Sequence, residues 1–466
     1  MDALAQPILQ RLPLAEAVLL IWSYLAEEHF LQDLFQRHRQ RCYEKVISFP
    51  LLVQLIADAL LAHRGSAHQC FEKAIEEESL TASVQAAYGK LRRLPIPLSM
   101  AFLAGCSDRL RRLFPPVTAT ALPASLKDVQ VVVYDGKAIK RVAKRLKLLR
   151  GIPGGLLGGR ALVALDLRSG LTVALHGHAD GDANDVRFVP LLLPEVRQRI
   201  RETRLHLADR QFCDLKRMAE FTESDDHFLV RYHPKVHFYR DETRAVQEGH
   251  DEHGRRYREE WGWLGRPQHK QRRYVRRITL FRPGEEDIIL VTDLLEPEEY
   301  PATDLLAVYL ARWGIERMFQ QVTEVFGLEG LIGSTPEATV FQLAFCLVLY
   351  NLIQVVRGYV AEAEQRPPAT ISTEKLFDDV TQELTAWNKL IEPATTVALF
   401  AEVPPQAALC QRLRGLLRAV WTGRWLKAPT RKRRPPEKQG KRTHGSVYRI
   451  LEDHRRRQKR AQKGGP

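Results

Sequence analysis

The spacing of apolar positions divides the chain into stretches of different period. Residues 1 to about 115 repeat at helical spacing, in AEAVLLIWSYLAEEHFLQDLF, FPLLVQLIADALLAH, QAAYGKLRRL and MAFLAGCSDRLRRLF, before Pro115 and Pro116 close the segment. From Asp128 the period falls to two. VQVVVYD predicts a strand, ALVALDL and LTVALHGHA predict a hairpin turned at Arg168, Ser169 and Gly170, and RLHLAD predicts another strand. Before that last strand, DVRFVPLLLPEVRQRIRE is apolar at helical spacing but interrupted by Pro190 and Pro194. A helix near FCDLKRMAEF and a fifth strand, HFLVRYH, follow. Residues 234 to about 299 are rich in Arg, Glu and aromatics, with strands at RYVRRITLF and EDIILVTDL. Pro301 opens a long helix, ATDLLAVYLARWGIERMFQQVTEVFG, ended by Gly327, and more helices run through LAFCLVLYNLIQVVRGYVAEAEQ and TEKLFDDVTQELTAW.

A strand, a hairpin, a helix and a parallel strand, in that order, predict an α/β fold: an RNase H-like mixed sheet with flanking helices. The expected organisation is an all-α N-terminal module at 1–117 and a core at 128–233 and 300–365. A β-rich insertion at 234–299 divides that core, helices follow at 366–427, and a basic flexible tail at 428–466.

Composition narrows the classes. With 45% hydrophobic residues the chain can build real cores, and its six cysteines lie far apart with no CxxC pair, which points to neither a zinc knuckle nor a disulfide framework. The start has no basic stretch ahead of an apolar core, so export is not expected, and a cytoplasmic, nucleoid-associated setting is. Leu343 to Val356, the most apolar stretch, is interrupted by Asn351 and Gln354 and reads as a buried helix, with no membrane partner. The net charge of +14 is concentrated: from Ala428 onward fourteen Lys and Arg face three acids, so the tail reads as a basic arm for phosphates. A solvated tail that aids solubility has the same composition.

Two aspartates close apolar strands, Asp135 before Gly136 and Asp209 before Arg210. Strands lie about 5 Å apart, so carboxylates at two neighbouring strand ends can share a pair of hard cations roughly 4 Å from each other. The helix after Pro301 offers a third acid. At 100° per residue, Tyr309, Arg312, Glu316 and Thr323 form one polar stripe beside an apolar face of Val308, Ile315, Phe319, Val322 and Phe326. Each feature has an ordinary reading too, as turn chemistry for an Asp-Gly pair or a solvated stripe on a helix. Among competing acids, Asp166 lies in a hairpin strand, Asp180, Asp182 and Asp185 lie in a loop suited to helix entry, and Asp293 is the strongest rival. His176 and His178 share a strand face without an evident third ligand.

YLARWGIERMFQQVT resembles the Y-x2-R-x3-E-x6-K signature of bacterial insertion-sequence DDE transposases of the family-four type. VVVYDGKAI and HLADRQFCD resemble that group's first and second aspartate motifs, and the resemblance spans roughly residues 128 to 360. One position departs: Thr323 stands where the signature has lysine. The resemblance implies a DNA transposase that binds terminal inverted repeats through its N-terminal helices and cuts and joins strands with two Mg²⁺ ions, replaceable by Mn²⁺. Asp135 would bridge both ions while Asp209 and Glu316 hold one each. Arg312 would clamp a phosphate, and Tyr309 would bond the DNA backbone or orient Glu316. The implied partners are double-stranded DNA, as transposon ends and target, and a second copy in a paired-end homodimer. Trp261 and Trp263 are candidates for stacking on a flipped base, and Arg272 and Arg273 lie in QRRYVRR, read as an edge strand tracking DNA, with a charged anti-aggregation edge as the alternative. Basic residues of the tail or insertion are expected to make up for Thr323. The same motifs fit an RNase H-like nuclease without strand transfer, or a decayed transposase that only binds DNA.

Overall fold

The computed structural model describes residues 5–61, 66–140, 142, 144, 146–325, 333–427 and 445–463. Seven helices come first: α1 (Ala5–Leu9), α2 (Pro13–Leu25), α3 (Glu28–His38), α4 (Phe49–Leu61), α5 (Ala67–Glu76), α6 (Val84–Leu91) and α7 (Ile96–Leu113). The strands β1 (Gln130–Ala138), β2 (Leu156–Leu157), β3 (Arg160–Asp166) and β4 (Thr172–His178) lead to α8 (Val189–Arg199), β5 (Arg204–Ala208), α9 (Leu215–Phe221) and β6 (His227–Arg231). Then come β7 (Phe238–Arg240), β8 (Gln247–His250), β9 (Arg256–Leu264), β10 (Arg273–Leu280) and β11 (Ile288–Thr292). Helices α10 (Ala302–Ala311), α11 (Trp313–Glu324), α12 (Pro336–Ala363), α13 (Thr373–Leu390), α14 (Pro393–Leu399) and α15 (Gln406–Leu417) precede a short β12 (Gly445–Ser446) and α16 (Val447–Lys463).

One ten-stranded sheet runs in the order β4-β3-β1-β5-β6-β11-β10-β9-β7, with β8 also on β9. Its first five strands pair antiparallel at β4–β3 and β3–β1 and parallel at β1–β5 and β5–β6, which is the RNase H-like arrangement expected. Alternation along β1 explains the two layers. Val131 and Val133 face a core shared with α7 and α12, while Val132 and Tyr134 face a second core with Phe188, Leu192 and Val196 around α8.

The β-rich insertion is present as β7 to β11, and its β11 pairs with β6, so it continues the core sheet. Three features differ from the sequence expectation. Strand β10 is not an edge: it lies between β11 and β9, and its Arg276 and Arg277 are neutralised by Glu259 and Glu260 of β9, so these arginines are cross-strand partners. The N-terminal helices share one apolar core with the sheet and with α12. The long helix after Pro301 is two helices joined at Arg312, where Arg312 N–H bonds Tyr309 O at 3.1 Å and Ile315 N–H bonds Arg312 O at 3.0 Å, the tighter three-residue spacing, next to helix-weakening Gly314. Gly327, expected to end it, lies outside the described residues, as does much of the basic tail at 428–444.

Helix α12 is long and apolar enough to cross a membrane, but that apolar window is wholly buried inside the fold. The last part of the tail is ordered. Strand β12 pairs with β2, Val447, Ile450 and Leu451 pack near Leu149 and Leu156, and Ser446 Oγ and Arg449 Nε hold Asp180 at 2.7 and 3.0 Å. From Arg455 to Arg460, α16 is exposed and basic.

At the edge where β5 and β6 begin, a buried polar cluster closes the sheet. Asp226 is ion-paired with Arg204 Nε (2.7 Å), accepts from Arg197 Nε (3.0 Å) and the Arg204 backbone N–H (3.2 Å), and lies 3.1 Å from His206 Nε2, while Tyr134 Oη lies 2.9 Å from His206 Nδ1. Burial raises the Asp226 carboxyl, but hydrogen bonds from His206, Arg204 and Arg197 outweigh it and hold it at about 2. Asp226→Ala leaves two guanidiniums facing a cavity and is expected to lower the unfolding free energy by about 3–5 kcal/mol, measured by urea unfolding. Because the carboxyl is depressed from 3.8 in the unfolded chain, its contribution is complete above that value and is lost as pH falls through about 2. The Ala variant should therefore lose the matching part of the native protein's acid sensitivity.

Candidate active site

Asp135 and Asp209 arrive at one edge through strand register. The parallel pair β1–β5 ends at Tyr134↔Ala208, so the two aspartates are the next residues on neighbouring strands. β1 itself continues to Ala138 on its other side, against β3, which holds Asp135 inside a strand rather than in a turn. Burial pushes the Asp135 carboxyl up to about 6; the Gly136 N–H (2.8 Å) and Arg312 pull it down, while Glu316 and Asp209 push it further up. The three acids thus share one electrostatic neighbourhood. Oδ1 of Asp209 is buried and has no hydrogen-bond partner among the described residues.

Glu316 comes from the first turn of α11, which packs against β1. Arg312 Nη2 donates to Glu316 Oε1 at 3.0 Å, and the Arg312 side chain is only 4% exposed whereas Glu316 is 38% exposed. A guanidinium buried that deeply needs carboxylates, and it has Glu316 by contact and Asp209 by proximity. Tyr309 is buried beside it, its hydroxyl pushed up to about 12 by burial, with no well-formed hydrogen bond among the described residues. Arg312, not Tyr309, therefore orients Glu316. Trp313, which the sequence reading passed over, is half exposed with the Arg312 guanidinium 5.4 Å from its ring.

A fourth carboxylate lies behind Asp135. Asp185 is 1% exposed, paired with Arg160 Nη2 at 2.9 Å and approached by Gln211 Nε2 at 3.4 Å. A methyl group on Gly136 would lie 1.5 Å from Asp185 Oδ2, so the glycine after Asp135 is there to admit that carboxylate and not to form a turn. Gly136 and Arg160 sit on the α8 side of the sheet and Asp135 on the other, so Asp185 is a backstop rather than a further site ligand. Its loop setting hid it; the helix entry itself is capped by Asn184.

The other expected residues are distributed differently. Trp261 is buried, donates Nε1–H to Leu295 O at 2.9 Å and carries Arg244 on its ring, so it has no open face for a base. Trp263 is 37% exposed with Arg272 stacked 4.2 Å over it. Register sets Trp261 two residues and Trp263 four residues along the strands from the level of Asp209, and β9 lies four strands away from β5. A base held there would be on the order of 20 Å across the sheet from the acids, so the reading of Trp261 and Trp263 as partners of the cut is not supported by this arrangement. Arg273 donates to Thr222 Oγ1 (2.6 Å) and Met218 O (3.1 Å) and ties β10 to α9. The rival Asp293 binds His227 Nδ1 (3.0 Å) and the Phe228 N–H (2.8 Å) at the start of β6, and Asp166 caps its own turn, so both lie away from the acid edge. His176 and His178 flank Phe188. Thr323 bonds the ammonium of Lys137 at 2.9 Å.

Carboxylate oxygens alone suit a hard divalent cation, and the unpartnered Asp209 Oδ1 is what a ligand atom looks like without its ion. Asp135 and Asp209 fit. Among the described residues no three such side chains are grouped for one ion, because Glu316 is turned onto Arg312 and would have to leave it to join them.

Residues 131–352, just under half of the chain, match the family model of the transposase DDE domain. The stretch runs from β1 into α12 and contains all three acids. Among solved structures the chain is similar to a piggyBac transposase synaptic complex with hairpin DNA, at 12% identity, covering 84% of this chain and 76% of that one with a TM-score of 0.36. No curated protein matches significantly.

Proposed function

We propose that this chain is an insertion-sequence transposase of the family-four type, which binds terminal inverted repeats of double-stranded DNA and carries out divalent-metal-dependent strand cleavage and transfer. The observation that carries the reading is the strand register that sets Asp135 and Asp209 side by side at one sheet edge, with the buried Arg312 holding Glu316 at 3.0 Å on the helix that packs against β1. Asp135, Asp209 and Glu316 would hold Mg²⁺, or Mn²⁺ in its place, which when bound activates the attacking oxygen and stabilises the leaving one. The protein's own work is positional. Asp185 and Arg160 brace the strand under Asp135, the shortened turn at Arg312 aims Glu316, and Arg312 becomes free to fork onto a phosphate once Glu316 leaves it. Two copies would act together on paired ends, in the nucleoid.

The test uses the full chain and linear duplexes carrying the repeats that flank its gene. Cutting at the repeat boundary is expected with Mg²⁺ or Mn²⁺ and should cease with a chelator, while DNA binding persists. Tight binding with no cut under any divalent cation would make the chain a DNA-binding protein. Cutting whose 3′ ends are never joined to a target would make it a nuclease.

A further inference from the structure

We propose that Lys137 is the site's second phosphate-holding cation, standing in from β1 for a charge that α11 does not carry. The inference rests on the transposase reading above. Lys137 is two residues beyond Asp135 on the same strand and so shares its face. Its ammonium reaches across to α11, where it lies 2.9 Å from Thr323 Oγ1, 3.5 Å from Phe319 O and 5.4 Å from the centre of the Phe319 ring. Thr323 in turn donates to Phe319 O at 2.6 Å. Thr323 lies in the last turn of α11, whose dipole favours a cation.

The charge is placed where the chemistry needs one. Arg312 at the start of α11 and Lys137 at its end bracket Glu316 along the helix, so a phosphate drawn to the acids meets a guanidinium on one flank and an ammonium on the other. Thr323, neutral, serves as the seat for the ammonium. The compensation for Thr323 therefore comes from the strand that bears Asp135, not from the tail or the β-rich segment.

A strap that merely ties β1 to α11 would use the same contacts, and the two roles separate by relocating the charge. Lys137→Gln is expected to slow cleavage at saturating DNA about 10- to 100-fold, the range of one charged hydrogen bond. It should also lower the slope of log affinity against log salt by about one. Adding Thr323→Lys to Lys137→Gln returns a cation to the same place from the helix and should restore both rate and slope. An unchanged rate and slope in Lys137→Gln overturns the proposal. So does a loss of rate that Thr323→Lys does not restore while the thermal midpoint falls, which identifies a strap. If the native chain binds its ends without cutting, the transposase reading fails, and the salt slopes of the three proteins still decide for or against Lys137.

Discussion

Glu316→Gln should leave end binding intact and reduce cleavage by about 10³-fold or more. The substitution keeps the shape of the side chain and removes one of three negative charges. Charge stabilisation at a divalent site is worth several kcal/mol, and each 1.36 kcal/mol is tenfold in rate, so a loss of this order is the least expected from one missing ligand. Binding should stay within a few fold or tighten slightly, because Arg312 loses its ionic partner at 3.0 Å and turns to the phosphates. Gel-shift titration and single-turnover cleavage on the same duplex measure the two quantities. Equal cutting by both proteins removes Glu316 from the site.

Gly136→Ala should be nearly as damaging, although it changes no functional group. The new methyl would sit 1.5 Å from Asp185 Oδ2 and 2.5 Å from its Cγ, so the carboxylate has to move. Asp185 has little room, being 1% exposed, and moving it breaks its ion pair with Arg160. Breaking a buried pair costs about 3–5 kcal/mol, and a shift of about 1 Å at a reacting group costs on the order of 100-fold in rate. The diagnostic is the double variant. Removing the obstructing carboxylate with Asp185→Ala in the Gly136→Ala background should recover stability relative to Gly136→Ala alone, a non-additivity expected only for groups in contact. Strict additivity of the two losses in urea unfolding would falsify the backstop role of Asp185.

The sequence carried the three acids because each sits at a place where local pattern changes: the end of an apolar strand run for Asp135 and Asp209, and a polar stripe on an amphipathic helix for Glu316. What it hid was made by long-range pairing. Lys137 reads as an ordinary strand residue until α11 lies across β1, and Asp185 reads as a loop acid until its loop folds under Gly136. The arginines of β10 suggested an exposed edge for the same reason, since their neutralising glutamates, Glu259 and Glu260, lie on another strand and become partners only in register. The tightened turn at Arg312 replaced a single long helix next to Gly314, where Arg312 also turns to Glu316.

The shared core of the N-terminal helices, the sheet and α12 bears on how such a chain diversifies. Helix α7 packs on both β4 and α12, and one apolar cluster runs from Leu14 on α2 through β1 to Leu417 on α15. A segment fused in this way is not a cassette that recombination can exchange for another. Its descendants would change by single replacements on exposed helix faces, one position after another, while the interior constrains every lineage to the same packing partners.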